Sequence, residues 1–295
     1  MIGSLGRFIP DGIKVLAMKS AWYNRYAATK LARRARRLDL CAAQFAHLMH
    51  RIPDLSLANA RCLEIGSGWV LTHTLVCYLL GARSVTAVDI MPLAQPNSLR
   101  DAVRDSDASL VREVLSPYSP YEQVRERLSR LQSMDRFSFP SLGDLGISYL
   151  APVNIAKEPL AGMFDFIYSF DVLEHIPRQD LVVFLTNLSR SLAPGSCMVH
   201  AIHTEDHRNS KRDPFAFLSE PQESYPDTAQ MLRGNRLRRN EWKSVFGEVP
   251  GIQFTMLYEW YRHDREVPDR IDPSLSATDD NDLRIAYLGV MGSKQ

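Results

Sequence analysis

Two glycines near the start of an apolar helix pattern have a spacing suited to ligand binding. They lie in the stretch Leu63-Glu64-Ile65-Gly66-Ser67-Gly68-Trp69-Val70, and a second apolar run ends at Asp89. Glycines let the backbone approach a ligand closely, and a helix that begins behind them presents free N–H groups. An acid that closes the second strand can accept hydrogen bonds from both hydroxyls of a ribose. The chain is therefore predicted to bind an adenosine-type cofactor.

The glycine count distinguishes between cofactors. A dinucleotide-binding loop reads G-x-G-x-x-G, but Leu71 stands at the position of the third glycine, where its bulk disfavours a pyrophosphate. The carboxylate of Glu64, two residues before the first glycine, would repel phosphates. Both features favour S-adenosylmethionine (SAM), which carries an ammonium and a sulfonium group and no phosphate. They disfavour the alternative of an NAD-dependent oxidoreductase.

Two segments together resemble one enzyme family. E-I-G-S-G-W-V resembles motif I of the class I SAM-dependent methyltransferases, E/D-x-G-x-G-x-G, with Val70 in place of the last glycine. F-D-F-I-Y-S-F-D-V-L-E-H-I, at 164–176, resembles the fourth-strand signature of the same family. The resemblance covers residues 57–294 and implies an α/β fold, a Rossmann-like seven-stranded sheet that is mostly parallel with an antiparallel last strand. It implies cofactor contacts at Glu64, Gly66, Ser67, Gly68, Trp69, Asp89, Ile90, Ala151, Ser169 and Asp171, although Trp69 could instead pack at the helix start.

The apolar patterning predicts the elements that position these motifs. Further strands are expected at Ser84–Asp89, Ile147–Leu150, Ser196–His203, Gln253–Trp260 and Leu283–Val290, and helices at Asn97–Leu115, Tyr121–Leu131 and Asp180–Leu192. The acidic stretch Asp264–Asp282 is predicted to be a solvated loop. We divide the chain into a helical arm at 1–55 and a SAM-binding domain at 56–295, with inserts near 91–145 and 204–240 that shape the acceptor pocket.

The residues after the fourth strand could bind a metal ion. Methyl transfer from a sulfonium is an in-line displacement, and a hydroxyl acceptor also needs a base or a metal ion to remove or polarise its proton. Asp171, Glu174 and His175 resemble the E-x-x-E-H of metal-dependent O-methyltransferases, with aspartate for the first glutamate. They are candidate ligands of Mg²⁺ or Mn²⁺. The alternative is that Glu174 and His175 only shape the pocket, as in metal-free relatives.

Histidines supply the candidate general bases, because imidazole titrates near neutrality. His175, His203 and His207 are the candidate catalytic residues, and the carboxylates of Glu205 and Asp206 could orient them, whereas His200 is expected to be a core residue. Four arginines, Arg233, Arg236, Arg238 and Arg239, could bind a phosphate or carboxylate on the acceptor. A solvated helix face is the favoured interpretation of these arginines.

The N-terminal arm is basic and aromatic. Residues 13–40 contain Trp22, Tyr23 and Tyr26 with Lys14, Lys19, Arg25, Lys30, Arg33, Arg34, Arg36 and Arg37. We favour a lid whose aromatic face covers the SAM site. The alternative is a basic amphipathic helix that makes a peripheral contact with an anionic membrane.

The composition limits the remaining classes. The 35 basic and 34 acidic residues balance to a net charge of +1, so no overall field favours a nucleic-acid partner. The four cysteines, Cys41, Cys62, Cys77 and Cys197, are widely separated, which predicts core thiols in a reducing compartment rather than zinc ligands or disulfides. The chain has no apolar run long enough for a membrane span and no signal-peptide pattern. A cytoplasmic location is expected, and the oligomeric state is left open.

The predicted function is SAM-dependent methyl transfer to a small-molecule acceptor. O-methylation of a sugar or other hydroxylated metabolite, in a glycan or natural-product pathway, is favoured because the whole chain looks like bacterial enzymes of those pathways. The alternatives are N- or C-methylation, including that of a lipid-linked acceptor, and a non-catalytic SAM-binding protein. The intact Glu64, Gly66, Gly68 and Asp89 disfavour the non-catalytic alternative.

Overall fold

The protein contains seven strands that form one mixed sheet. A computed structural model describes residues 17–18, 20–275 and 279–295. The strands are β1 (Arg61–Ile65), β2 (Ser84–Val88), β3 (Ile147–Leu150), β4 (Phe164–Phe170), β5 (Leu192–His203), β6 (Ile252–Tyr261) and β7 (Ile285–Lys294). They are hydrogen-bonded in the order β3-β2-β1-β4-β5-β7-β6. The predicted fold class is confirmed, including the antiparallel last strand.

The chain divides into two compact units, and β4 contributes to both. The first, here called the cofactor unit, comprises residues 18–154 and 163–168. The second, here called the cap unit, is formed mainly by residues 155–162 and 169–295. Residues 18–55 thus belong to the same unit as the glycine motif. The division into an arm and a SAM-binding domain stays a prediction.

The cofactor unit has three parallel strands and seven helices among its described residues. β1 pairs with β2 and β2 with β3, in a register that joins Ile65 to Val88 and Val88 to Leu150. The apolar run of β1 is buried after its first residue, as expected for a parallel strand covered on both faces. The helices are α1 (Ala21–Ala32), α2 (Leu38–Met49), α3 (Thr72–Leu79), α4 (Leu99–Arg104), α5 (Ala108–Leu115), α6 (Tyr121–Gln132) and α7 (Phe139–Gly143).

The cap unit contains the antiparallel part of the sheet. β7 is antiparallel to both β5 and β6, and His203 of β5 and Trp260 of β6 are both paired with Tyr287 of β7. Gly289 is required on β7 because a Cβ there would collide with the Tyr258 ring. The helices of the described residues are α8 (Leu181–Ser191), α9 (Asp227–Arg233), α10 (Arg239–Gly247) and α11 (Asp280–Leu283).

The acidic stretch near the C-terminus is not a solvated loop throughout, which corrects that prediction. Leu275 is buried, and Val267 and Ile271 pack against the same apolar cluster, whose other members include Phe215 and Tyr225. These apolar side chains lie between acidic residues in the sequence. The local pattern is therefore mainly acidic and predicts a solvated loop, although its apolar residues pack into a core. Residues 276–278 lie outside the described part, and α11 follows them.

Other element boundaries also differ from the expectation. In place of the single helix predicted at 97–115, the structure has a short 3₁₀ turn followed by α4 and α5. α5 is a separate helix because Asp107 accepts hydrogen bonds from the N–H groups of Ser109 (2.9 Å) and Leu110 (3.2 Å) and so caps it. β5 begins at Leu192 rather than at residue 196, and β7 begins at Ile285 rather than at 283. The described residues include no helix long and apolar enough to cross a membrane.

Candidate active site

The glycine loop of the cofactor unit follows β1 directly. Gly66 and Gly68 both have positive φ angles, of 66° and 63°, which L side chains adopt only with strain. The N–H groups of Gly66 and Ser67 donate to the carbonyl of Val88, at 2.8 and 3.3 Å. Gly68 N–H donates to Oδ2 of Asp89 at 2.8 Å. The loop is thereby fixed to the end of β2, where the predicted ribose-binding acid lies.

The glycine loop borders open space and has exposed aliphatic side chains near it. A Cβ added at Gly68 would meet no atom within 4 Å, so the backbone there borders open space. The Oγ of Ser67 is buried without a hydrogen-bond partner. Ile90 and Leu150 are 50% and 47% exposed although both are aliphatic, and each stands at a strand end. Two exposed aliphatic side chains beside a ribose-binding acid suit the faces of an adenine ring. Leu150 ends β3 and is followed directly by Ala151, at the place where the family resemblance predicts the adenine ring.

Two buried acids lie at the ends of β1 and β2. Burial raises the pKa of Glu64 to about 7, while the positive charge of Arg36 and a hydrogen bond from the Tyr168 hydroxyl (3.2 Å) act in the opposite direction. Burial also raises the pKa of Asp89, and backbone N–H groups, including that of Met91 at 2.9 Å, limit the rise. A cationic ligand would offset the cost of ionising such groups. Their burial is therefore consistent with the positively charged cofactor predicted from the sequence.

The arm is attached to the glycine loop by a polar contact. The indole N–H of Trp69 donates to Oδ1 of Asn24 at 3.0 Å. Asn24 lies on the buried face of α1 with Ala28 and Ala32. Trp69 thus contacts the arm, and its contact with a cofactor stays a prediction.

Two aromatic side chains of the arm are exposed, and the lid over the SAM site stays a prediction. Trp22 is 74% and Tyr26 38% exposed, and their rings stack with centroids 5.8 Å apart. Small and amide side chains form the contact face of α1 because they allow close approach. Lys14 and Lys19 lie outside the described residues.

The candidate catalytic histidines lie together with two acids in the cap unit. Asp171 has a positive φ of 56°, and its N–H donates to the carbonyl of Ala201 at 3.0 Å. Glu174 and His175 follow in the 3₁₀ turn Leu173–His175. The ring of His207 lies 4.4 Å from that of His175 and 4.5 Å from that of His203, between centroids. We call these five residues, Asp171, Glu174, His175, His203 and His207, the acid–imidazole cluster.

The groups of this cluster are held in defined hydrogen bonds. Nε2 of His203 lies 2.7 Å from Oε2 of Glu205, whose other oxygen accepts from Arg262 at 3.0 Å. The His203 ring also stacks on Tyr287, with centroids 4.4 Å apart and planes within 4°. The backbone N–H of His203 donates to Oε1 of Glu174 at 3.2 Å. The predicted orientation of a histidine by a neighbouring carboxylate is thus present at His203.

The residues of the cluster differ in the direction of their pKa shifts. Burial raises the pKa of Glu174 to about 7, with His175 opposing the rise and Asp171 adding to it. Burial and the neighbouring imidazole lower the pKa values of His175 and His207 to about 4. Burial also disfavours the charged form of His203, but the hydrogen bond with Glu205 and the nearby carboxylates leave its pKa raised. His203 is therefore the imidazole best suited to accept a proton.

Ser169 and His200 lie inside the cap unit. Ser169 is fully buried, and its Oγ lies 2.8 Å from Nδ1 of His200. His200 is fully buried as well, which confirms the interpretation of His200 as a core residue. The hydroxyl of Ser169 is thus used in the core, and its predicted contact with the cofactor has no support from this geometry.

Three of the four arginines are buried, so the expectation of a solvated helix face is wrong. Arg233 pairs with Asp206 and Glu220, each at 2.6 Å. Arg236 lies over the Tyr225 ring at 4.1 Å. Arg238, 1% exposed, donates to the backbone carbonyls of Thr204 (2.6 Å), Arg236 and Ile285. These guanidinium groups are occupied by internal partners, which leaves no basis for assigning them to an acceptor phosphate. Arg239 is half-buried and pairs with Glu259 at 3.2 Å.

The fold and the cofactor loop define a class of protein. A sheet with one antiparallel strand, a glycine turn between β1 and a helix, and an acid after β2 are the features of a Rossmann-like SAM-binding domain. A family described as a methyltransferase domain matches residues 31–248. The chain belongs to this family and is a class I SAM-dependent methyltransferase.

Solved structures with a similar fold include enzymes of different methyl-acceptor types. A magnesium protoporphyrin IX methyltransferase from Synechocystis PCC 6803, with bound S-adenosylhomocysteine, is 12% identical, with a TM-score of 0.44 over 87% of this chain and 84% of that one. A putative O-methyltransferase from Nostoc punctiforme is 11% identical, with a TM-score of 0.46 over 90% and 60%. A phosphoethanolamine N-methyltransferase from Haemonchus contortus is 15% identical, with a TM-score of 0.42 over 72% and 39%.

The chain spans 62% of a TehB protein from Haemophilus influenzae and 39% of the Haemonchus enzyme, so these proteins extend well beyond it. No curated protein matches the sequence.

Proposed function

We propose that this methyltransferase transfers the methyl group of SAM to a hydroxyl oxygen of a small acceptor, a sugar or another hydroxylated metabolite. The observation that carries the proposal is the pair formed by His203 and Glu205, 2.7 Å apart and largely buried. A hydroxyl is a weak nucleophile until its proton is removed, so its methylation requires a positioned base. Methylation of an amine or an activated carbon depends less on removal of a proton, so a positioned base is less important for those acceptors.

His203 and Glu205 together accept the proton that the acceptor hydroxyl loses. The acceptor oxygen forms a bond to the methyl carbon while the carbon–sulfur bond breaks, and the electron pair of that bond remains on sulfur to give S-adenosylhomocysteine. The hydroxyl proton passes to His203, and Glu205 stabilises the imidazolium that forms. Arg262 fixes Glu205 through its second oxygen at 3.0 Å. His203 is thus the catalytic base, and Glu205 is a positioning residue.

The cofactor unit supports the other half of the proposal. Gly68 borders open space after β1, Gly66 and Ser67 belong to the same loop, Asp89 receives the ribose, and Ile90 and Ala151 lie at the adenine end. Glu64 supplies the negative charge for the ammonium group of SAM. The cytoplasmic location and the glycan or natural-product pathway belong to the same proposal.

The test is transfer of labelled methyl from SAM into a metabolite extract, divided into aqueous and organic phases. We expect label in the aqueous fraction, and a loss of at least ~100-fold in rate for His203→Gln and Glu205→Gln. The exposed Glu223→Gln is the matched control for Glu205→Gln. All variants should bind S-adenosylhomocysteine as the wild type does.

Four outcomes would contradict the proposal. Full activity of both variants would exclude His203 as the base. Label attached to nitrogen or carbon would favour the alternative N- or C-methylation, and label in the organic phase would indicate a lipid-linked acceptor. Binding of S-adenosylhomocysteine without any transfer would favour a non-catalytic SAM-binding protein.

A further inference from the structure

A polar cleft, here called the arm cleft, lies between α1 and the segment 95–101 of the cofactor unit. Its volume is about 450 Å³, which is within the range of small-molecule sites. None of the predicted cofactor contacts lines it, so the arm cleft lies apart from the residues assigned to SAM. Its polar lining residues are Arg25, Thr29, Gln95, Asn97, Ser98 and Asp101.

Several polar contacts fix the walls of the arm cleft. Asp101 accepts a hydrogen bond from Nε of Arg33 at 2.9 Å, which ties α4 to the end of α1. Ser98 Oγ donates to the carbonyl of Gln95 at 2.7 Å. The N–H of Gln95 donates to the carbonyl of Trp69 at 2.9 Å, so this wall is also attached to the glycine loop. Walls that the fold already holds in place lower the entropic cost of binding a ligand.

Arg25 and Asn97 keep their hydrogen-bonding capacity for a ligand. Among the described residues, Arg25 has no ion pair and the side-chain amide of Asn97 has no hydrogen bond. A guanidinium offers only donors, whereas an amide offers donors and an acceptor. The hydroxyls of Thr29 and Ser98 donate to backbone carbonyls and so retain lone pairs that can accept. A ligand with several hydroxyl groups satisfies this mixture of donors and acceptors.

The exposed aromatic pair of α1 adjoins the arm cleft. Trp22 lies three residues before Arg25, and residues three apart on a helix are neighbours on its surface. Tyr26 has the same spacing to Thr29. The two rings are parallel within 7°. The face of an aromatic ring is partially negative, and the C–H bonds on one side of a sugar ring direct partially positive hydrogens at such a face. Aromatic rings beside polar side chains therefore match a sugar.

The charge of the arm cleft indicates an anionic sugar. Arg33 and Arg104 both pair with Asp101. Arg104 pairs with Asp105 as well, so these four side chains together carry no net charge. The positive charge of Arg25 is left over, and α1 contains no acidic residue that would neutralise it. A guanidinium binds a carboxylate or a phosphate group through two parallel hydrogen bonds. The ligand that fits is a hydroxylated ring with one anionic group.

We propose that the arm cleft binds an anionic sugar unit. Its carboxylate or phosphate group pairs with Arg25, its hydroxyls bond Asn97 and the neighbouring polar side chains, and its ring packs on Trp22. This site goes beyond the proposed methyl transfer. Where the bound sugar is a part of the acceptor that is not methylated, the inference rests on the proposed function.

The test is a titration of the whole chain, followed by the indole N–H signals of its four tryptophans in ¹H–¹⁵N spectra. The probes are D-glucuronate, D-galacturonate and glucose 6-phosphate, which present the anion as a carboxylate or as a phosphate. We expect at least one of them to shift the Trp22 signal and to leave that of Trp260, in the cap unit, unchanged. Arg25→Gln should weaken binding at least ~10-fold. Arg34→Gln makes the same change at another exposed position of the arm and should leave binding unchanged.

The wild-type spectra decide the proposal without any variant. It would be overturned if none of the three sugars shifted the Trp22 signal. An equal shift with inorganic phosphate would indicate a plain anion site, and an equal shift with neutral glucose would remove Arg25 from recognition, so either result contradicts the proposal. Competition by S-adenosylhomocysteine would place the sugar in the SAM site and contradict it as well. Because no methyl transfer is measured, a failure of the proposed function and a failure of sugar binding are separate results.

Discussion

Ionised Glu64 should destabilise the folded chain, and Glu64→Gln should therefore raise stability at high pH. The carboxyl is 4% exposed, and burial raises its pKa from 4.5 to about 7 although Arg36 and Tyr168 oppose the rise. Because the folded-state pKa lies above the unfolded one, the protonated acid favours the folded state. Stability is then lost progressively as the pH rises from about 4.5 to about 7 and stays low above that range.

The magnitude follows from the difference between the two pKa values. Between 4.5 and about 7 the difference is roughly 2.5 units, which at about 1.4 kcal/mol per unit amounts to about 3 kcal/mol at pH 8. Glutamine has nearly the same shape and keeps an oxygen that can accept the hydrogen bond from Tyr168, now at 3.2 Å. The substitution thus removes the charge with little change in packing. The gain should be near zero at pH 4 and largest at pH 8.

The assay is urea unfolding of both proteins at pH 4, 6 and 8, together with their affinity for S-adenosylhomocysteine at pH 8. The other titrating groups are common to both proteins, so their contributions cancel in the difference. We expect Glu64→Gln to be more stable at pH 8 and yet to bind S-adenosylhomocysteine more weakly, since the ammonium group loses its carboxylate. A difference in unfolding free energy that is zero or negative at pH 8 would refute the reasoning on burial. Unchanged affinity would refute the assignment of Glu64 to the ammonium group.

Three further predictions test other parts of the molecule. Gly68→Ala and Gly251→Ala each place a Cβ in open space at a positive φ and should each cost about 1–2 kcal/mol of stability, but only Gly68→Ala should weaken S-adenosylhomocysteine binding, as calorimetry can show. Arg238→Met should lower the free energy of unfolding by about 3 kcal/mol, because buried carbonyls lose their donor, whereas the half-buried Arg239→Met should cost below about 1 kcal/mol; equal losses would contradict this account. If the arm contacts anionic membranes, Trp22→Ala should reduce co-sedimentation with phosphatidylglycerol vesicles, and no binding by the wild type would exclude that interpretation.

The parts of the fold that were predictable are those encoded locally. The glycine turn at Gly66 and Gly68 requires positive φ angles that few other residues tolerate, and β3 and β4 appear as short apolar runs with defined ends. The pairing of His203 with Glu205 could also be predicted, because the two residues are two positions apart on one extended segment. Local spacing is enough to predict such contacts.

The buried arginines were not predictable, because their environment comes from distant segments. Arg238 donates to carbonyls of Thr204 and Ile285, which are 34 and 47 residues away in the chain. The local sequence around an arginine whose guanidinium bonds to three segments does not differ from that around a solvent-exposed arginine. The contact between Asn24 of α1 and Trp69 was not predictable for a related reason, because the two residues are 45 positions apart in the chain.

The cap segment, residues 204–240, organises the acid–imidazole cluster as well as covering it. Asn235 donates its backbone N–H to the carbonyl of Glu174 at 2.7 Å, and its side-chain amide donates to the carbonyls of Leu173 and Ile176, each at 3.0 Å. The turn that presents Glu174 is thus held at three carbonyls by one residue of the cap, and the same segment supplies His207. The buried arginines Arg233 and Arg236, on either side of Asn235, bond other residues of the same segment, Asp206 and Glu220. Cap and cluster therefore form one cooperative structure, so a substitution in the cap can change the chemistry of the cluster without contacting the acceptor.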